Sequence, residues 1–96
     1  MKNNAREFTR TSFVSTILYS APVMDMRKLR KIHARAVSID ISIGGMGMVA
    51  EYPLEKGHVL VFDDEVRSEW IVARTAVVQW ALQIPDEKYR VGLKFV

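Results

Sequence analysis

The stretch Ala36-Val37-Ser38-Ile39-Asp40-Ile41-Ser42-Ile43 decides the fold class of this chain. Polar and aliphatic residues alternate strictly through it, and residues two apart lie on the same face of a strand. The alternation is typical of a half-buried β-strand, because a helix would scatter the aliphatic residues around its circumference. The residues expected to face the core are Val37, Ile39, Ile41 and Ile43, and those expected to face outward are Ser38, Asp40 and Ser42.

The remaining segments also favour β-structure. Further strands are predicted at residues 11–20, which Pro22 closes, and at 46–51, 58–62, 69–83 and 89–96, with 69–83 as one long bent strand or two. The acidic residues 63–65 predict a hairpin turn. Residues 24–35 contain five Lys and Arg residues and fit either a single helical turn or a basic hairpin tip. Short strands between turn residues predict an all-β sandwich or barrel.

Composition limits the class of protein. A chain of 96 residues, with 49% hydrophobic and 26% charged residues, has room for a single domain spanning residues 1–96. It has no apolar run of the roughly 18 residues that a membrane-spanning helix needs, and its polar N-terminus does not resemble a secretory signal. With no cysteine, it fits a reducing, cytoplasmic compartment. The net charge of +3 is compatible with an anionic partner but does not require one.

Residue types that carry catalysis are sparse. The chain has two histidines, His33 and His58, without the spacing of a zinc site. It also has no nucleophile elbow, no P-loop and no complete dinucleotide-binding glycine motif. We therefore expect no enzymatic activity, no metal site and no cofactor.

Two short patterns are suited to ligand binding. Arg6 and Arg10 lie four residues apart ahead of the first strand, and Asp40, Ser42 and Gly45 follow the pattern Asp-x-Ser-x-x-Gly. An ionised aspartate accepts the paired N–H donors of a guanine edge, and arginine binds phosphate or the O6/N7 edge of guanine with two hydrogen bonds. Together these residues could enclose an anionic guanine nucleotide. Residue types alone equally allow solvated strand residues and a basic tail.

In this order, the two patterns resemble the signatures of the PilZ domain, the bacterial receptor module for cyclic di-GMP. The resemblance continues through Gly44-Gly45-Met46-Gly47-Met48, Leu54-Glu55-Lys56-Gly57, Ala76-Val77-Val78-Gln79-Trp80 and the closing segment Tyr89-Arg90-Val91-Gly92-Leu93-Lys94-Phe95. It implies a six-stranded antiparallel β-barrel with a flexible ligand-binding arm at residues 1–10. The C-terminal helix often seen in the family is missing, since the chain ends at Val96.

The resemblance also implies the site. Arg6 and Arg10 would bind phosphate and the outer guanine edges, Asp40 would accept from a guanine, and Ser42 and Gly45 would shape the adjoining surface. Trp80 would pack near the ligand, although core packing suits a strand tryptophan equally well. Ala5 stands where many family members carry another arginine, which leaves the number of bound nucleotides open.

The expected function is therefore that of a bacterial, cytoplasmic cyclic di-GMP receptor. Ligand binding would order the N-terminal arm and signal to a downstream protein partner. The alternative is a PilZ-like protein-interaction module with weak or no nucleotide binding. A small nucleic-acid-binding barrel using the basic residues of 24–35 is less favoured, because that cluster lacks the interleaved aromatic residues on which bases stack.

Overall fold

The computed structural model describes residues 9–96, and this part of the chain contains strands and turns without a helix. Its strands are β1 (Thr11–Ser12), β2 (Thr16–Asp25), β3 (Lys28–Ser42), β4 (Gly45–Ala50), β5 (Val59–Ser68), β6 (Ile71–Ile84) and β7 (Lys88–Phe95).

Six of these strands close into an antiparallel barrel. Each strand pairs with its neighbours in the cyclic order β2-β5-β6-β7-β4-β3, and β3 returns to β2 through the ten residue pairs of their hairpin. The short β1 lies outside the barrel and pairs with β3, where Thr11 is opposite Ile41 and Ser12 is opposite Asp40. The prediction of an all-β, six-stranded antiparallel barrel is confirmed.

The strand predicted from residues 36–43 forms, and Ile41 is buried as expected, but the predicted face is wrong at four positions. Val37 and Ile43 are 47% and 58% exposed, whereas Ser38 and Ser42 are buried. A β-bulge in β3 accounts for Val37 and Ser38: Ser38 is opposite Met48 and Asp40 is opposite Gly47, which leaves Ile39 as an extra residue. One extra residue reverses the alternation between the two faces.

The buried Ser38 has its polar group satisfied by the segment that joins β1 to β2. Its hydroxyl donates to the carbonyl of Phe13 at 2.7 Å and accepts from the amide of Ser15 at 2.9 Å. Because a buried hydroxyl costs free energy unless it is hydrogen-bonded, these bonds explain why a serine is tolerated at an inward-facing position.

Two predicted strand ends are also wrong. Pro22 does not close β2, which continues to Asp25. The β2–β5 pairing is confined to Tyr19 and Ser20, so Pro22 has a strand neighbour on one side only, where proline is tolerated. The acidic residues 63–65 lie within β5, and the turn follows at Glu69, whose φ is +54°.

Two segments left open by the sequence are settled by the structure. Residues 24–35 form a hairpin tip, with Met26 and Arg27 as a two-residue turn between Asp25 and Lys28. The segment predicted at 69–83 is one long strand, β6, in which Gln79 is the extra residue of a second bulge.

Candidate functional site

Arg10 and Asp40 form an ion pair on the outer wall of the barrel. The Arg10 guanidinium donates from Nη1 to Oδ1 of Asp40 at 2.8 Å, although the two residues are thirty positions apart. The pairing of β1 with β3 makes this contact possible, since it places Ser12 opposite Asp40. The side chains of Arg10 and Asp40 are 49% and 26% exposed, so both remain accessible from solvent.

The Asp40 carboxylate lies over Gly47 of the neighbouring strand. Its Oδ1 also accepts the Gly47 amide at 3.2 Å, and a Cβ added at Gly47 would lie 2.9 Å from the same oxygen. A glycine is therefore needed beneath Asp40 for the carboxylate to take this position. Within the described residues, Oδ2 of Asp40 accepts no hydrogen bond and is available to a ligand donor.

Ser42 and Gly45 line a shallow cleft beside this ion pair. The cleft measures about 290 Å³ and is bounded by Arg10, Ser42, Gly44, Gly45, Leu93 and Lys94. Ser42 is largely covered, and its hydroxyl donates to the Gly45 carbonyl at 3.4 Å. The cleft lies just below the usual size of small-molecule sites, about 300–1,000 Å³. Arg10 and Lys94 provide two positive charges at its boundary.

Trp80 lies in the same row of cross-strand neighbours as Asp40. The row crosses four strands, from Asp40 to Gly47, Gly92 and Trp80. The Trp80 indole covers Gly92, whose added Cβ would collide with the ring, and the side chain is 45% exposed. The outer wall therefore carries a carboxylate and an indole on either side of a glycine pair.

Both bulges adjoin this row. Asp40 follows the extra residue Ile39 in β3, and Trp80 follows the extra residue Gln79 in β6. Bulges redirect the neighbouring side chain and occur often beside functional sites. Here they direct the carboxylate and the indole toward the glycine pair.

The structure thus brings Arg10, Asp40, Ser42 and Gly45 together, with Trp80 three strands away in the same wall. Arg6 and the rest of the predicted arm up to residue 8 lie outside the described residues. Sequence reasoning missed Lys94, which pairs with Gly45 across β4 and β7. In the sequence Lys94 is one residue of the strand predicted at 89–96, and only the strand order shows which neighbour it meets.

A larger cleft lies at another place on the barrel. It measures about 420 Å³, and its lining includes Phe13, Leu18, Asp64, Glu65 and Arg67. Asp64 and Glu65 make this cleft less suited to an anionic ligand than the one bounded by Arg10 and Lys94. Charge therefore makes the smaller cleft the better candidate for an anionic ligand.

Comparison with known proteins yields no significant match: no family model matches the chain, nor does any curated protein or any solved structure. No helix in residues 9–96 has the length and apolar character needed to cross a membrane. Within the same residues, no group of three histidine, aspartate or glutamate side chains is arranged to hold a metal ion.

Proposed function

We propose that this chain is a PilZ-like receptor domain that binds cyclic di-GMP in the bacterial cytoplasm and signals to a protein partner. The observation that carries the proposal is the meeting of Arg10 with Asp40 beside a cleft lined by Ser42 and Gly45. These four residues come from the two short patterns that suggested a guanine nucleotide. Their convergence on an accessible wall meets the first requirement of such a site.

Each group has a role matched to the ligand. Oδ2 of Asp40 would accept an N–H from a guanine edge, while Arg10 would turn toward a phosphate or the guanine O6/N7 edge. Lys94 would add a second positive charge opposite the dianionic ring of the ligand. Trp80 offers an exposed aromatic face on which a guanine could stack.

The existing ion pair makes a reversible switch energetically reasonable. An exposed pair such as Arg10–Asp40 contributes about 0–1 kcal/mol, because solvent screens it. A hydrogen bond from arginine to a phosphate contributes about 1.5–3 kcal/mol. Arg10 therefore gains free energy when it leaves the Asp40 carboxylate and binds a ligand phosphate instead. Asp40 is then free to accept hydrogen bonds from the guanine base of the ligand.

Calorimetric titration with cyclic di-GMP tests this proposal directly. We expect saturable binding by the wild type and a loss of more than about tenfold in affinity for Arg10→Ala, equivalent to about 1.4 kcal/mol. Arg67→Ala is the matched control, because Arg67 forms a similarly exposed ion pair with Glu65 at 2.7 Å. That variant should bind like the wild type.

The same titration with cyclic di-AMP as competitor tests the role of Asp40. Asp40→Ala should reduce the preference for the guanine ligand, since the carboxylate accepts N–H groups that adenine does not present in the same way. Folded wild-type protein that takes up no cyclic di-GMP would contradict the proposal and favour the protein-interaction module. Equal affinities for wild type and Arg10→Ala would contradict the assigned site.

A further inference from the structure

The β2–β3 hairpin presents apolar side chains at one end of the molecule. β3 contains 15 residues and is therefore about 50 Å long, close to the longest dimension of the molecule, 48 Å. At its tip, Met26 is 91% exposed, and the cross-strand partners Met24 and Leu29 are 69% and 70% exposed. We call these three exposed side chains the apolar tip, and none of them lines the cleft bounded by Arg10 and Lys94.

Basic residues surround this apolar tip. Residues 24–35 hold five of the fourteen Lys and Arg residues and one of the eleven acidic residues, so the segment carries +4 while the rest of the chain carries −1. The single acid, Asp25, forms an ion pair with Arg30 at 3.4 Å. Lys31 and Arg35 lie on the same face of β3, at exposed positions two and six residues beyond Leu29. The tip is thus followed by a row of positive charge.

The two-residue turn of this hairpin consists of Met26 and Arg27, which are large residues for such a turn. Met26 and Arg27 have φ angles of +47° and +69°, in the left-handed region. Two-residue hairpin turns of this type favour Asn and Gly, because other side chains are strained there. An exposed methionine at such a position gains nothing from core packing, so its side chain is better explained by a contact outside the barrel.

We propose that this hairpin docks on the surface of an anionic phospholipid bilayer. Met24, Met26 and Leu29 would enter the boundary between headgroups and acyl chains, and the basic residues behind them would contact lipid phosphates. This arrangement of an apolar face bordered by Lys and Arg is typical of proteins that lie on a membrane surface. A nucleic acid fits less well, because residues 21–35 contain no Phe, Tyr or Trp side chain for base stacking.

Sedimentation with vesicles tests the proposal without any nucleotide, so its outcome is independent of the proposed receptor function. We expect the full chain to bind vesicles of phosphatidylcholine and phosphatidylglycerol in equal parts, and not vesicles of phosphatidylcholine alone. Met26→Gly combined with Leu29→Ser should weaken binding roughly tenfold, since it removes apolar contact. Glycine also relieves the turn, so this variant should fold at least as well as the wild type.

Lys28→Glu combined with Lys31→Glu should weaken binding by roughly thirtyfold or more, because each basic residue near an anionic surface contributes several-fold. Val14→Ser and Lys56→Glu are the controls, as both alter exposed residues outside the hairpin and should bind like the wild type.

Failure of the wild type to bind anionic vesicles would overturn the proposal. Binding that survives the Met26 and Leu29 changes would overturn the role of the apolar tip. Hairpin-dependent binding of single-stranded RNA with no vesicle binding would assign the surface to nucleic acid instead.

Discussion

At Tyr19, the barrel core encloses a phenol hydroxyl that has no hydrogen-bond partner among the described residues. Burial raises the pKa of Tyr19 to about 12, with smaller contributions from Tyr52 and Glu51. A raised tyrosine pKa means that the folded state holds its proton more tightly than the unfolded state. The contribution of this pKa shift to the free energy of unfolding is fully present below pH 10 and is lost as the pH rises toward 12.

Tyr19→Phe should therefore reduce the loss of unfolding free energy that the protein undergoes at alkaline pH. The wild type should lose roughly 2–3 kcal/mol of unfolding free energy between pH 10 and 12 through this residue, and the variant should not. At neutral pH the variant should match or slightly exceed the wild type, since it deletes an unsatisfied buried hydroxyl. Urea unfolding over this pH range measures both effects. Parallel pH profiles for the two proteins would show that Tyr19 is not the residue responsible.

Among the strands, Gly45 in β4 and Gly92 in β7 allow two different close contacts. A Cβ at Gly45 would meet the backbone carbonyl of Leu93, whereas a Cβ at Gly92 would meet the side chain of Trp80. A backbone carbonyl in a strand cannot move without breaking the β4–β7 pairing, while a half-exposed indole can rotate away. The two glycines should therefore respond differently to the same substitution.

We expect Gly45→Ala to lower the free energy of unfolding by about 3 kcal/mol or more, and Gly92→Ala by about 1 kcal/mol. Gly92→Ala should instead shift the emission of Trp80 to longer wavelength, because the displaced ring becomes more solvated. Urea unfolding and fluorescence in a Trp70→Phe background, where Trp80 is the sole tryptophan, distinguish the two effects. Equal losses of stability with unchanged emission would contradict the different roles assigned to these contacts.

For the barrel as a whole, closure depends on a short seam between β2 and β5. These strands pair at Tyr19 with Phe62 and at Ser20 with Val61, whereas β6 and β7 pair at eight positions. In β5, pairing with β6 stops at Val61 and resumes at Val66. Local opening is easiest where few backbone hydrogen bonds hold a segment.

Amide hydrogen exchange should show that β5 opens locally beside this seam, where its pairing with β6 is interrupted. We expect the amides of residues 63–65 to exchange fastest within β5, and those of Val91 and Leu93 in β7 to be among the slowest, because β7 has strand partners on both sides. Two-dimensional NMR after transfer to deuterated water measures the rates residue by residue. Uniform protection along β5 and β7 would show that the barrel opens only by global unfolding.

For the whole barrel, the sequence predicted most of the strands but not all of the turns that connect them. The period-two pattern of residues 36–43 predicted the strand that became the end of β3, because side-chain alternation follows directly from strand geometry. The strands predicted at 46–51, 69–83 and 89–96 became β4, β6 and β7. The turn at Met26 and Arg27 was not predictable, since neither residue is a preferred turn former and tertiary pairing imposes the positive φ angles. The acidic residues 63–65 were misread for a related reason, because composition suggested a turn where β5 continues.

The residue types needed for an anionic guanine ligand were visible by inspection, since chemistry resides in the side chains themselves. Only the three-dimensional structure decided that Arg10 reaches Asp40, that Lys94 borders the same cleft and that Trp80 faces outward. These outcomes depend on which strands become neighbours and where the bulges at Ile39 and Gln79 insert an extra residue. Strand neighbours and bulges are set by contacts between distant segments, which the local alternation of polar and apolar residues does not encode.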